Sequence, residues 1–163
     1  MNQYGIVALA FGLPDTISSN VEIGRETADA SRRYCAAIFT QHGVMVPHVQ
    51  STVTYMHEDE PGSPTLRITR AAVSWAVAHG ITTLVIVCAT PHAKRCMRDM
   101  HVAIDESGIT MNLILDSAAA SIPEGVWFSP DSTQERTRTK ASWKRRELIL
   151  LYMPLWLYKR VAA

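Results

Sequence analysis

Three side chains suited to chemistry, Thr90, His92 and Arg95, directly follow an apolar run of strand length. An imidazole can donate a hydrogen bond to an anion or transfer a proton near neutral pH. A planar guanidinium one helical turn later matches the geometry of a bound phosphate or carboxylate. If a helix begins at Ala93, its free N–H groups and the positive end of its dipole lie beside the same point. The spacing therefore predicts an anion site at the end of a strand.

A purely structural interpretation of this junction stays open. The hydroxyl and the imidazole can cap the helix while the guanidinium faces solvent, since basic residues are also common in structural roles. The neighbouring residues Lys94, Arg98 and His101 share a separate stripe at helical spacing. We interpret that stripe as solvated surface.

Acidic residues in the loop 57–61 (HEDEP) form a second candidate feature. Carboxylates at the end of a strand can hold a divalent cation or act as a general base. Charge runs in loops are usually only solvated, but the predicted topology brings Asp59 and Glu60 towards His92 and Arg95. Asp59 is therefore predicted as a catalytic residue beside His92, and Glu60 as a ligand-binding residue.

Motifs for the common cofactors and metals do not occur in the sequence. It has no G-x-G-x-x-G or P-loop glycines, no H-E-x-x-H, no paired cysteines and no G-x-S-x-G elbow. The loop after the first strand still offers polar ligand-binding groups, among them Asn20. No metal site is predicted. The three cysteines follow no C-x-x-C spacing, which favours a reducing, cytoplasmic setting.

Apolar runs and helical periodicity predict an alternation of strands and helices. Strands are predicted at residues 5–10, 48–56, 82–89 and 111–116, and helices at 21–41, 65–79, 93–107 and from about 132 onwards. Asn20 is predicted to cap the first helix and Gly43 to end it, and residues 126–128 can add a short edge strand. This alternation predicts an α/β domain with a mainly parallel sheet of four or five strands and helices on both faces. Ligands of such sheets bind beyond the carboxyl ends of the strands.

Composition bounds the class of protein. With 163 residues and a net charge of +1, the chain is expected to be one soluble domain without a general attraction for nucleic acid. Its most apolar stretch, residues 148–158, is about half the length that a membrane-spanning helix requires, and Pro154 interrupts it. No transmembrane segment is expected, and the oligomeric state is not predicted.

Residues 132–163 are expected to form a C-terminal helical segment that packs on the sheet. A basic run from Arg136 to Arg146 precedes the apolar stretch. Apolar residues at helical spacing are predicted to cover one side of the sheet, namely Trp143, Leu148, Leu151, Tyr152 and Leu155. The alternative is that this segment docks on an acidic partner or on phospholipid headgroups.

Four short motifs carry a family resemblance: residues 10–12 (AFG), Arg25 with a following alanine-rich helix that reaches Tyr34, residues 59–65 (DEPGSPT) and residues 90–95 (TPHAKR). In order and spacing they resemble the SanA/ElyC/YdcF-like family, bacterial proteins of largely unknown function with a Rossmann-like α/β fold. The chain departs from the family pattern at Pro64, Arg67 and Ile68, where polar residues are usual. It is therefore interpreted as a divergent member.

The resemblance implies a three-layer Rossmann-like fold over most of the chain and a small anionic ligand, without specifying a reaction. It also implies ligand-binding roles for Gly12, Arg25 and Thr65. Envelope members of the family are linked to peptidoglycan-precursor or lipid-carrier metabolism, and one soluble branch to binding of S-adenosylmethionine. The resemblance therefore allows S-adenosylmethionine as a cofactor, although no residue pattern indicates one.

Two functional hypotheses follow. In the first, a soluble Rossmann-like domain binds a phosphorylated or carboxylated small molecule through Thr90, His92 and Arg95. Whether it is an enzyme stays open, and the simplest reaction would be phosphoryl transfer or hydrolysis with His92 as acid or base and Arg95 stabilising charge. In the second, the basic C-terminal helix makes the chain a non-catalytic interaction module.

Overall fold

Five parallel strands form a single sheet in the computed structural model, which describes residues 3–58 and 62–162. The strands are β1 (Tyr4–Leu9), β2 (Ala37–Thr40), β3 (Val53–Tyr55), β4 (Thr83–Cys88) and β5 (Asn112–Leu115), in the order β3-β2-β1-β4-β5. The helices are α1 (Ser18–Tyr34), α2 (Thr65–Ala78), α3 (Ala93–Ser107), α4 (Lys140–Tyr152) and α5 (Leu155–Val161). Short 3-10 turns occupy Thr90–His92, Ala118–Ser121, Glu124–Trp127 and Glu135–Thr137.

Side chains of the central strands alternate between the two faces of the sheet. Val7 and Ile86 pack in one core cluster with residues of α2 and α3. Ile6 and Val87 pack in a second cluster with Ile23 of α1. A strand covered on both faces has to be apolar at successive positions, which explains the unbroken apolar run in β4. The predicted three-layer, Rossmann-like α/β fold is confirmed, with five strands.

The predicted helix over residues 21–41 is wrong at its end, because that range contains a helix and a strand. Helix α1 ends at Tyr34, and Cys35 takes a left-handed conformation with φ 49°. This conformation is uncommon for residues other than glycine, so the sequence shows no stop signal there. The apolar side chains at 37 and 38 continue the helical periodicity although they belong to β2, and Gly43 does not end a helix.

Three further boundaries differ from the sequence prediction. Only the last part of residues 48–56 is a strand, the short edge strand β3 beside β2. Residues 126–128 form no edge strand, because a 3-10 turn occupies Glu124–Trp127. The C-terminal helix begins at Lys140 instead of near residue 132. At its start, the Thr139 hydroxyl accepts a hydrogen bond from the Ser142 N–H. Such a side-chain cap satisfies one of the free donors of a helix start.

Helices α4 and α5 pack across the carboxyl end of the sheet and do not cover one of its sides. The Trp143 ring lies 4.4 Å from that of Phe11, which follows β1, and its Nε1 donates to the carbonyl of Pro91, which follows β4. Leu150 and Tyr158 pack with side chains of α2 and α3. The prediction that Leu148, Tyr152 and Leu155 cover the sheet is wrong, since these side chains are exposed.

The ion pair of Arg98 and Asp99 in α3 holds the C-terminal helices through contacts of both side chains. The Arg98 guanidinium lies 3.0 Å from the Asp99 carboxylate, donates to the carbonyl of Leu150 at 2.9 Å and stacks 4.0 Å from the centre of the Tyr158 ring. The Tyr158 hydroxyl donates to the same carboxylate, which is fully buried. Arg98 is thus a structural anchor, and the interpretation of this residue as solvated surface is wrong.

The chain changes direction across the sheet between β1 and β4. Leu9 and Cys88 are paired neighbours at the ends of these strands. The chain continues from β1 through α1 on one face, and from β4 into α3 on the other. Loops that diverge in this way leave a crevice between them, where ligands of parallel sheets bind.

Candidate functional site

A cavity of about 160 Å³ lies beyond the carboxyl ends of β1 and β4. Its walls come from the loop after β1, the start of α2, the turn before α3, the turn Glu135–Thr137 and the helices α4 and α5. Its lining includes Gly12 and the polar side chains of Thr65, His92, Arg95, Arg136 and Arg146. Six elements of the chain therefore meet at the crevice that the topology creates.

His92 and Arg95 converge on the hydroxyl of Thr65. The Arg95 Nη1 donates to Thr65 Oγ1 at 2.6 Å, and His92 Nε2 lies 3.2 Å from the same oxygen. All three side chains are buried, with exposed fractions of 5% to 8%. The guanidinium does not face solvent. The side chains predicted from their spacing thus meet at one point of the cavity wall.

Local structure explains this convergence. His92 ends a 3-10 turn, where its N–H donates to the carbonyl of Ala89 at 2.8 Å, and its ring packs edge-on against Trp143. Arg95 follows in the first turn of α3, so it projects from the same end of the helix. Thr65 is the first residue of α2, after Pro64. Two helix N-termini therefore supply the three side chains.

His92 is a neutral imidazole in the folded protein. Burial lowers its pKa well below the ordinary value of 6.5, and the positive charges of Arg95 and Arg136 lower it further. Its Nδ1 is buried without a hydrogen-bond partner among the residues that the structure describes. This nitrogen is enclosed by protein atoms, so the ring nitrogen directed towards the cavity wall is Nε2, which lies beside Thr65 Oγ1. In a neutral imidazole that nitrogen can donate or accept a hydrogen bond.

Acid is expected to destabilise the fold through His92. Below pH 6.5 this imidazole takes up a proton in the unfolded chain but stays neutral when folded, so the free energy of unfolding falls by up to about 1.4 kcal/mol per pH unit. Urea unfolding between about pH 5 and pH 7 measures this slope. His92→Gln should flatten it, and His101→Gln, at an exposed position of α3, should keep it. An unchanged slope in His92→Gln would assign the effect to another group.

Arg136 and Arg146 also line the cavity and were not among the site residues predicted from the sequence. Burial lowers the pKa of Arg136 to about 10, helped by the charges of Arg146 and Arg95. Burial and the charge of Arg95 likewise lower the pKa of Arg146. Among residues 3–58 and 62–162, neither guanidinium has a hydrogen bond or an ion pair. The i, i+3 spacing of Trp143 and Arg146 was the available signal, since it places both on one helix face.

Of the three arginines that line the cavity, Glu147 pairs only with Arg95. Its carboxylate accepts two hydrogen bonds from Arg95 Nε, at 2.9 and 3.1 Å, and the side chains of the pair are 9% and 10% exposed. Arg95 also lies over the ring of Trp143 at 5.4 Å. Counting described residues only, the cavity wall carries two guanidinium groups without a counterion. Such a wall favours occupation by an anion.

Asn20 and Gly12 shape the loop after β1. The Asn20 side chain accepts from the N–H of Phe11 and donates to the carbonyls of Gly12 and Pro14, at 2.9 to 3.0 Å. It is fully buried beneath the loop, lies outside the cavity lining and is not the cap of α1, which begins at Ser18. Gly12 lines the cavity at φ 95°, and a Cβ there would approach Thr137 Oγ1 to 2.6 Å. Only glycine fits that contact and that backbone conformation without strain.

The remaining predicted site residues lie elsewhere. The Thr90 hydroxyl donates to the carbonyl of Ala119 at 3.2 Å and is not part of the cavity lining. Arg25 is exposed on α1 and pairs with Glu22 at 3.0 Å, also outside this cavity. Asp59 and Glu60 fall outside the described residues. Within the described ranges, no group of three or more His, Cys, Asp and Glu side chains is arranged to hold a metal ion.

The fold and the crevice define the class of the protein: a three-layer, Rossmann-like α/β protein with a basic cavity at the switch point of its parallel sheet. No family model, curated protein or solved structure matches the chain. The likeness to the SanA/ElyC/YdcF-like family therefore stays a prediction. No helix in the described part of the chain has the length and apolar character needed to cross a bilayer.

Proposed function

We propose that the chain binds a small phosphorylated or carboxylated molecule in the cavity beyond β1 and β4. The observation that carries this proposal is the set of three arginines around one cavity, of which Arg95 alone has a carboxylate partner among the described residues. Holding like charges together in a partly dehydrated space destabilises the unliganded protein. A bound anion offsets that repulsion, so the arrangement favours binding.

The size of the cavity limits which part of the ligand it holds. Pockets that enclose a whole drug-sized molecule measure roughly 300 to 1,000 Å³, whereas this cavity measures about 160 Å³. It suits a phosphate or carboxylate group together with a few neighbouring atoms. The rest of a larger ligand would extend outside the cavity.

The proposal concerns binding, and the same residues indicate how chemistry would proceed if a reaction follows. His92 would accept a proton from an attacking hydroxyl or water only with the anion in place, since burial and the charges of Arg95 and Arg136 otherwise oppose its protonation. Arg136 and Arg146 would stabilise negative charge that develops on the transferred group.

A thermal-unfolding screen tests the proposal. Phosphate, pyrophosphate, sugar phosphates, nucleotides and S-adenosylmethionine are compared at matched ionic strength. A ligand at 100 times its Kd stabilises the native state by about 2.7 kcal/mol, which raises Tm by roughly 5 to 10 °C for a domain of this size.

Two neighbouring arginines of α4 give a matched pair of variants for this screen. Arg146→Gln should lose most of the anion-induced rise in Tm, because this side chain lines the cavity. Arg145→Gln should retain it, because Arg145, which is exposed as Arg146 is, does not line the cavity. Equal responses of the two variants, or no response of the wild type to any anion, would contradict the proposal.

A further inference from the structure

The solvent-facing surface of the C-terminal helices is unusually apolar. Among the described residues, eleven large hydrophobic side chains are exposed, and six of them fall within residues 148–161. These six are Leu148, Ile149, Tyr152, Leu155, Trp156 and Val161, with Tyr152 83% and Trp156 64% exposed. Scattered exposed apolar residues are ordinary, whereas such a concentration marks a surface that contacts something else.

Helix α4 is apolar on two opposite sides. Its buried side carries Trp143 and Leu150, which face the cavity and the core. Leu148 lies four residues and Ile149 three residues before Tyr152, so all three share the opposite side. Among the described residues, only the first side of α4 packs against the rest of the protein. The second side is therefore free to meet a partner.

Positive charge is concentrated in the same segment. Residues 136–160 contain eight lysines and arginines and a single acidic residue, the buried and paired Glu147, whereas residues 1–135 contain eight basic and fourteen acidic residues. The overall charge of +1 conceals this asymmetry. Lys144, Arg145 and Arg160 are exposed close to the six apolar side chains in sequence. The complementary surface must therefore be both negatively charged and able to accept apolar groups.

We propose that α4 and α5 dock on the surface of an anionic lipid bilayer. The apolar side chains enter the headgroup boundary, and the exposed bases contact the negative headgroups. Tyr152 and Trp156 suit this position, since aromatic side chains with a polar atom favour the membrane interface. A second copy of the chain fits less well, because a symmetric dimer would bring the same bases together.

Vesicle binding by the full chain tests this inference independently of the cavity ligand. Co-sedimentation compares vesicles of phosphatidylcholine with vesicles of an equal mixture of phosphatidylcholine and phosphatidylglycerol. We expect at least roughly tenfold stronger binding to the anionic mixture, because each base near such a surface contributes several-fold.

Tryptophan fluorescence locates the contact. Of the four tryptophans, Trp75, Trp127 and Trp143 are buried and only Trp156 is exposed. A blue shift on addition of anionic vesicles should therefore come from Trp156 and disappear in Trp156→Phe. Absence of a shift in the wild type would contradict insertion of this side chain.

Two double variants and a control complete the test. Ile149→Ser/Trp156→Ser and Lys144→Glu/Arg145→Glu change exposed positions, so the fold should persist while binding falls at least roughly tenfold. Val77→Ser, at an exposed position of α2, should bind as the wild type does. Equal binding to neutral and anionic vesicles, or full binding by either double variant, would overturn the proposal. So would lipid-independent self-association that Ile149→Ser/Trp156→Ser abolishes, since the face would then belong to a second copy.

Discussion

Replacing Glu147 with glutamine is expected to lower the free energy of unfolding by about 3 to 5 kcal/mol, because it leaves a buried guanidinium without its counterion. The carboxylate holds Arg95 through two hydrogen bonds, and the pair is about nine-tenths buried. Urea unfolding followed by circular dichroism measures the change. Inorganic phosphate should restore part of the lost stability, since an anion in the cavity can compensate the same charge.

The control for this change is Glu124→Gln, which breaks an exposed ion pair with Lys140. Exposed pairs contribute about 0 to 1 kcal/mol, so this variant should unfold almost as the wild type does. Arg95→Met/Glu147→Leu removes both buried charges together and should regain much of the stability that Glu147→Gln loses. A loss below about 1 kcal/mol in Glu147→Gln would show that Arg95 does not depend on this carboxylate.

Replacing Arg136 with glutamine is expected to raise the stability of the unliganded protein and to abolish its response to anions. Burial and the charges of Arg146 and Arg95 lower the pKa of Arg136 from 12.5 to about 10. Near pH 7 the residue is protonated in both states, so this cost to the fold is fully present and is relieved only as the pH rises above about 10. Removing the charge should therefore gain on the order of 2 kcal/mol near pH 7.

Urea unfolding with and without phosphate, at matched ionic strength, separates the two effects. The control is Arg138→Gln in the same segment, whose Nε donates to the carbonyl of Ser132 at 2.7 Å. That variant should be slightly less stable and should keep its response to phosphate. If Arg136→Gln instead destabilises the protein without phosphate, the guanidinium has a structural role. That result would contradict the proposal that Arg136 is held in the cavity wall to bind an anion.

The parts of the fold that could be predicted from the sequence are those with local signals. Helix α3 was predicted at residues 93–107 and has these bounds, because Gly108 takes the left-handed conformation that ends helices. Strand β4 is apolar throughout and was equally clear. Strand β2 was missed because Cys35, a residue with no preference for a left-handed conformation, ends the preceding helix.

The candidate site likewise contains residues that have a local sequence signal and residues that have none. His92 and Arg95 could be identified because they follow one strand within a few residues, whereas a role for Thr65 was expected only from the family resemblance. Arg136, Arg146 and Glu147 come more than forty residues after α3 begins. Helical spacing places Arg146 on the same face as Trp143, but only the tertiary packing of Trp143 and Leu150 brings these residues to the sheet edge. Their role at the cavity can therefore be recognised only from the folded structure.

The position of the cavity wall in the chain has a consequence for biosynthesis. All five strands precede residue 116, whereas Arg136, Trp143 and Arg146 follow it. A ribosome therefore releases a complete parallel sheet before the residues that close the crevice. Until those residues dock, the growing polypeptide has neither Glu147, the carboxylate that pairs with Arg95, nor a finished cavity wall.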